Sequence, residues 1–114
     1  MMRFASNIAQ PLRTWLTLLA SKARIDARGV GVRLTREPPH MVGGVIYLTQ
    51  PSALGYEWDL VGSSFLHELA HARDYIDGLD PSPEEAEARA RRHEHVVAAE
   101  DMIALARFYR LPGA

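Results

Sequence analysis

Apolar residues recur at helical spacing in three stretches of the chain, and two shorter stretches between the first and second are rich in β-branched residues. The first stretch predicts an amphipathic helix over about 6–27, because its apolar residues return every three or four positions: Ile8, Leu12, Trp15, Leu16, Leu19 and Ala23. Glycines at 29 and 31 then break the helix. Two strands are predicted next, at 30–35 and 43–49, with a turn at 37–40 between them and Pro51 after the second.

The second helical stripe follows Asp59, which can cap a helix, and ends before Gly78, which can close one: Leu60, Val61, Phe65, Leu66, Leu69, Ala70 and Ile76. A long third helix is predicted from Pro83 to about residue 109, with Ser82 or Asp80 as its cap. This order predicts one α+β domain over residues 1–114. It would contain an N-terminal helix, a small twisted β-sheet, a central helix and a long C-terminal helix.

The composition is that of a globular protein, with 47% hydrophobic residues and a formal net charge of −1. A charge so close to zero indicates neither a nucleic-acid partner nor an anionic-membrane partner. No segment is long and apolar enough to cross a membrane, and polar residues interrupt the N-terminal stretch where a signal peptide needs a continuous apolar core. Lys22 is the only lysine among many arginines, which is typical of some bacterial and phage genomes. We expect a cytoplasmic protein of a bacterial or phage-infected cell, with secretion and the oligomeric state left open.

Residues 67–71 read His-Glu-Leu-Ala-His, which fits the zinc-hydrolase pattern H-E-x-x-H. Residues four apart lie one turn above each other on the same helix face, so His67 and His71 would direct two imidazoles to one point. Glu68 would lie beside them as the general base for a metal-activated water. Because the chain has no cysteine, histidine and carboxylate are the strong ligands available, a set that suits Zn²⁺. The alternative is two surface histidines at a chance spacing, and the apolar stripe around the motif favours the metal site.

Catalytic zinc usually takes three protein ligands and leaves one position for water, so a third ligand is needed. The predicted C-terminal helix carries several acids, and its apolar stripe defines its inner face: Ala88, Val96, Ala99, Met102, Ile103 and Ala106. At 100° per residue, Glu85 lies about 40° from the centre of that stripe, Glu84 about 60° and Glu87 about 120°. Glu85 is therefore the predicted third ligand, followed by Glu84. The alternative is that acids in a first helical turn only complement the helix dipole.

Three segments together resemble a known family: residues 43–49, the motif at 67–71, and residues 83–88, which read Pro-Glu-Glu-Ala-Glu-Ala. A strand, a His-Glu-x-x-His helix and a helix with an acidic, alanine-rich start resemble the gluzincins. Within that group the pattern is most similar to the small ImmA/IrrE-type peptidases and related phage-borne metallopeptidases. The resemblance implies a zincin-like core and a glutamate of the later helix as third zinc ligand, which corresponds to Glu85. Arg89 departs from the family, which often has Asn or Asp at this position.

These observations predict a zinc-dependent peptidase acting on a peptide or protein substrate, which would pair in extended form with the edge of the 43–49 strand. Two other interpretations stay open. One is a zinc-binding structural or interaction module, such as a phage or prophage accessory protein with little catalysis, and the other is a zinc amidase of cell-wall peptides. Asp74 would either accept a hydrogen bond from an imidazole or pair with Arg73 or Arg110. His93 and His95 would either stabilise an oxyanion or be ordinary surface residues.

Overall fold

The computed structural model describes all 114 residues and contains four α-helices and a mixed four-stranded sheet. In chain order the elements are β1 (Arg3–Phe4), α1 (Gln10–Lys22), β2 (Gly31–Thr35), β3 (His40–Val42), β4 (Val45–Thr49), a 3-10 turn (Pro51–Leu54), α2 (Trp58–Ile76), α3 (Pro83–Glu94) and α4 (Ala99–Phe108). The predicted α+β class is confirmed. The first helix is shorter than predicted, because Pro11 occupies its first turn and Arg24 adopts a positive φ just beyond its end.

The sheet has the strand order β1-β2-β4-β3, in which β3 is antiparallel to β4 and the other pairs are parallel. Val42 pairs with Val45, so Gly43 and Gly44 alone form the turn, and both have the positive φ that this kind of two-residue hairpin turn requires. The predicted 43–49 strand therefore begins at Val45. The expectation that this strand offers an open edge is wrong, because β4 pairs on both sides and the edge strands are β1 and β3.

The core lies between one face of the sheet and the helices α1 and α2. Alternate residues of β4, Ile46 and Leu48, are fully buried and meet the apolar stripes of these helices. Gly62 of α2 allows a close approach of the neighbouring helices, because a Cβ at this position would lie 2.5 Å from Met102 Sδ and 3.1 Å from Leu19 Cδ1. The helix that carries the His-Glu-x-x-His motif is thus packed against the sheet, α1 and α4.

The ends of α2 and α3 follow the local signals only in part. Ser82 caps α3 as predicted, since its Oγ accepts the Glu85 backbone N–H at 3.3 Å, and Pro83 occupies the first turn. Asp59 lies in the first turn of α2 but is not its N-cap, and the actual N-cap residue makes no side-chain hydrogen bond. Gly78 has a positive φ just after the end of α2, which agrees with its predicted role.

The last third of the chain forms two helices, whereas the sequence predicted one. α3 ends at Glu94, and in the link to α4 Val97 is buried while Val96 is exposed. α4 is held by its own contacts to the core, where Met102 is buried and its carbonyl accepts the Trp15 Nε1–H at 3.1 Å. The prediction of one long helix is wrong. The sequence does not reveal the break, because no glycine or proline lies between α3 and α4. Tertiary burial of Val97 and Met102 is the feature that accompanies it.

Candidate metal centre

The two motif histidines lie one turn apart on the face of α2 that meets α3. Their neighbours Leu66, Leu69 and Ala70 are buried in the core, whereas His67 and His71 are only partly buried. The centroids of the two imidazole rings are 5.1 Å apart and the ring planes are inclined by 67°. The two imidazoles therefore share one helix face, as their spacing predicts.

Glu87 of α3 is the carboxylate that meets both histidines. Its Oε1 lies 2.9 Å from His71 Nε2, and its Oε2 lies 3.4 Å from His67 Nε2. One ligand atom from each of the three residues lies within 4.8 Å of the others. Glu85, the predicted third ligand, and Glu84, ranked next, are exposed in the first turn of α3 and do not belong to this group.

The difference between Glu85 and Glu87 follows from the break between α3 and α4. The apolar stripe that oriented the predicted helix combined residues of two separate helices, so its centre does not describe α3. Within α3 the only buried residue is Ala90. At 100° per residue, Glu87 lies about 60° from Ala90 and Glu85 about 140° from it. The burial of Ala90 against α2 therefore turns Glu87 towards the histidines and Glu85 away from them.

Glu94 is a further residue of this site, and the sequence placed it only among several downstream candidates for the third ligand, without singling it out. His67 Nδ1 donates to Glu94 Oε2 at 2.9 Å, and protonation at Nδ1 leaves Nε2 of a neutral imidazole as a free acceptor. Glu94 lies four residues after Ala90, on the face that also carries Glu87. His95 is exposed, with its Nε2 3.4 Å from Glu94 Oε1, and it does not belong to the group of His67, His71 and Glu87. The helical spacing of residues 87, 90 and 94 was the signal that could have found Glu94.

Glu68 lies beside the two histidines on α2 and is only 9% exposed. Burial raises the pKa of Glu68 above its usual range, while positive charge on His67 and His71 acts in the opposite direction. A carboxylate with a raised pKa accepts a proton more readily than one in water, which is the property that a general base needs. The catalytic role of Glu68 stays a prediction, and its environment is consistent with that role.

His67, His71 and Glu87 place one possible ligand atom each within 4.8 Å of the others. Ligand atoms at about 2.0–2.1 Å from a tetrahedral zinc lie roughly 3.3–3.4 Å from one another. The observed distances of Glu87 oxygens from His71 Nε2 and His67 Nε2 are 2.9 and 3.4 Å. Two imidazoles and one carboxylate are also a common ligand set of catalytic zinc. The donor types therefore fit a zinc ion, and the side chains would have to leave their present hydrogen-bonded positions to hold one.

An ion pair joins α2 to α3 close to the histidines. Arg89 Nη1 donates to Asp74 Oδ1, and Asp74 is buried. The partners predicted for Asp74 were an imidazole, Arg73 or Arg110, and none of them is its partner in the structure, where Arg73 pairs with Asp77 at 2.7 Å. Arg89 thus joins α3 to α2 through its ion pair with Asp74.

The candidate centre consists of five side chains, three on α2 and two on α3: His67, Glu68, His71, Glu87 and Glu94.

Comparisons of the chain with protein-family models, with curated proteins and with solved structures find no match. None of the helices has both the length and the apolar character needed to cross a membrane.

Proposed function

We propose that this protein is a zinc-dependent peptidase of the gluzincin type. His67, His71 and Glu87 are its metal ligands, and Glu68 is its general base. The observation that carries the proposal is the approach of both histidine Nε2 atoms to the Glu87 carboxylate. The order of a strand, the motif helix and a later helix that supplies a glutamate adds support, since it agrees with a zincin-like core.

Each residue of the site has a distinct task in peptide hydrolysis. Zinc held by these ligands supplies Lewis-acid activation of a water molecule and of the scissile carbonyl. Glu68 accepts the proton of the attacking water and then donates it to the leaving amine, so that the C–N bond breaks after the new C–O bond has formed. Glu94 holds the ring of His67 with Nδ1 protonated, which leaves Nε2 available to the metal.

The open edge of β3 is the surface to which the substrate main chain binds in this proposal. β3 packs beside α2, and on its outer side it has no neighbouring strand. An extended peptide that pairs with this edge gains main-chain hydrogen bonds, which make few demands on the side chains of the substrate. The sequence-based expectation of strand pairing is therefore kept, with β3 in the place of β4.

Metal analysis and protein digestion test the proposal together. Protein loaded with zinc and then dialysed should retain one zinc per chain, and His71→Ala should lose it. The zinc-loaded protein should cleave an unfolded protein substrate in a reaction that a chelator stops and added zinc restores. Cleavage that continues unchanged in excess chelator, or full zinc occupancy in His71→Ala, would contradict the proposal.

The alternative of a structural or interaction module makes a different prediction for the same measurements. Such a module would retain one zinc per chain and would unfold more readily without it. It would cleave no member of a diverse peptide library, whatever the zinc content. Stoichiometric zinc without hydrolysis would therefore favour the module over the peptidase.

A further inference from the structure

The C-terminal end of α2 carries apolar side chains that the fold leaves exposed. Tyr75, Ile76 and Leu79 are 58%, 36% and 53% exposed, whereas Phe65 and Leu69, earlier in the same helix, are fully buried. Single exposed apolar residues are common on protein surfaces, but neighbouring ones mark places where a ligand or partner binds. Their position relative to the metal centre therefore decides what they can do.

Tyr75 lies one helical turn beyond the metal centre. It follows His71 by four residues and Glu68 by seven, so it lies on the face of α2 that carries both of them. At a rise of 1.5 Å per residue, Tyr75 is about 6 Å from His71 along the helix axis. Its side chain leans back towards the N-terminus of the helix, as helical side chains do. The exposed ring therefore borders the metal centre.

The hairpin of β3 and β4 forms the other side of this surface. A Cβ at Gly44 would lie 3.5 Å from Tyr75 Cδ1, so the turn of the hairpin packs beside the ring. Met41 of β3 is half-buried, and its Sδ accepts the Gly44 N–H at 3.4 Å. Met41 and Tyr75 thus adjoin the same turn residue, and together they form an apolar surface at the end of β3.

The strand β3 runs along α2 in the same direction as the helix. The turn after β3 lies beside Tyr75, and His40 at its start is close enough to Glu68 for its charge to lower the pKa of that carboxyl. Antiparallel pairing is the more stable kind, and a peptide that pairs so with β3 has the residues before the cleaved bond on the Tyr75 side. The second of these residues lies about 7 Å from the bond, which matches the rise of about 6 Å from His71 to Tyr75.

We propose that Met41 and Tyr75 form a specificity subsite for an apolar side chain of the substrate, at one of the two residues before the cleaved bond. This inference rests on the proposed peptidase function and adds the class of substrate to it. The occupant is a side chain of the bound peptide, because the apolar surface continues into the β3 edge on one side and into the metal centre on the other. Charged side chains are disfavoured there, since they lose hydration on an apolar surface.

Fluorogenic peptides with Leu or Asn at either of these two positions test the subsite, because the two side chains have nearly the same shape and differ in polarity. Wild-type protein should have a kcat/KM roughly three- to tenfold higher for Leu than for Asn at one of the positions, the effect of burying part of a leucine side chain. In Tyr75→Ser this ratio should fall towards one with the zinc content unchanged, whereas Tyr75→Phe should keep it. Equal kcat/KM for Leu and Asn at both positions in wild type, or an unchanged ratio in Tyr75→Ser, would overturn the inference.

Phe108→Ser is the matched control. Phe108 is 75% exposed on α4, a helix that carries no residue of the metal centre, and its replacement removes an aromatic ring of similar size. This variant should keep the wild-type ratio of Leu to Asn. Equal losses of preference in Phe108→Ser and Tyr75→Ser would assign the effect to a general change of the protein and would contradict a subsite at Tyr75.

Binding of the same peptides to zinc-loaded Glu68→Gln, followed by fluorescence anisotropy, separates the subsite from the catalytic step. Tighter binding of the Leu peptide with no cleavage by wild-type protein would support the subsite and contradict the peptidase. Cleavage by wild type with no preference in either assay would contradict the subsite and leave the peptidase in place. Neither binding nor cleavage of any peptide would contradict both.

Discussion

Replacement of Glu87 by glutamine separates the metal-binding role of this residue from its contribution to the metal-free fold. The Glu87 side chain is 48% exposed, so water screens its contacts with His67 and His71. Such contacts contribute roughly 0.2–1 kcal/mol to the free energy of unfolding. Glutamine has nearly the same volume and keeps one carbonyl oxygen. Metal-free Glu87→Gln should therefore unfold within about 1 kcal/mol of wild-type protein.

Zinc should make the two proteins differ clearly. At a free zinc concentration about 100 times the wild-type Kd, binding adds about 2.7 kcal/mol to the free energy of unfolding. Loss of a charged ligand should weaken the affinity for zinc by at least about 100-fold. This is the largest effect usually found when a residue that hydrogen-bonds to a metal ligand is replaced. At the same zinc concentration the variant then gains only about 0.4 kcal/mol. Since 1 kcal/mol shifts the Tm of a chain this long by roughly 4 °C, zinc should raise the Tm by about 10 °C in wild type and about 2 °C in Glu87→Gln.

Thermal unfolding followed by circular dichroism, with and without zinc, measures both effects. Glu85→Gln and Glu84→Gln are the matched controls, because each removes one charge from an exposed position of the same helix. Both controls should keep the full shift of about 10 °C. A full zinc shift in Glu87→Gln together with its loss in Glu85→Gln would refute the assignment of Glu87 and favour the residue chosen from the sequence.

Three further substitutions test the surroundings of the site. Glu94→Gln should weaken zinc affinity by roughly 10- to 100-fold in a competitive zinc titration, because His67 loses its charged acceptor; unchanged affinity would remove Glu94 from the site. Phe65→Ala should lower the free energy of unfolding in urea by about 3–5 kcal/mol, since this ring is fully buried, and a loss below about 1 kcal/mol would contradict the packing of α2. Arg89→Met should cost about 1–3 kcal/mol in the same assay, because Asp74 stays buried without a partner, and the double variant with Asp74→Asn should regain part of it. Equal stability of Arg89→Met and wild type would show that the ion pair does not fix α3.

The sequence predicted those parts of the molecule that local signals determine. The stripe around Phe65 and Leu69 predicted α2, and the spacing of His67 and His71 put both imidazoles on one face of it. Ser82 marked the start of α3. Helical spacing is a property of the backbone alone, so it could be read without knowledge of the fold.

Tertiary contacts determined the parts that the sequence did not reveal. The strand β3 contains only three residues, and it forms by pairing with β4. The sequence predicted a turn at 37–40, which ends at His40, the first residue of this strand. The break after Glu94 carries no glycine or proline, and it coincides with the burial of Val97 and Met102 by other elements. Which glutamate meets the two histidines depended on this break, because a single continuous helix turns Glu85 towards α2 and the two separate helices turn Glu87 towards it.

The central claim is that Glu68 acts as the general base beside a zinc ion held by His67, His71 and Glu87. The rate of peptide hydrolysis by Glu68→Gln, measured at a zinc occupancy equal to that of wild-type protein, tests this claim most directly. Glutamine cannot accept the proton of the attacking water, so kcat should fall by about 10²- to 10⁴-fold while the zinc content stays at one per chain. Turnover at the wild-type rate by fully zinc-loaded Glu68→Gln would contradict the claim.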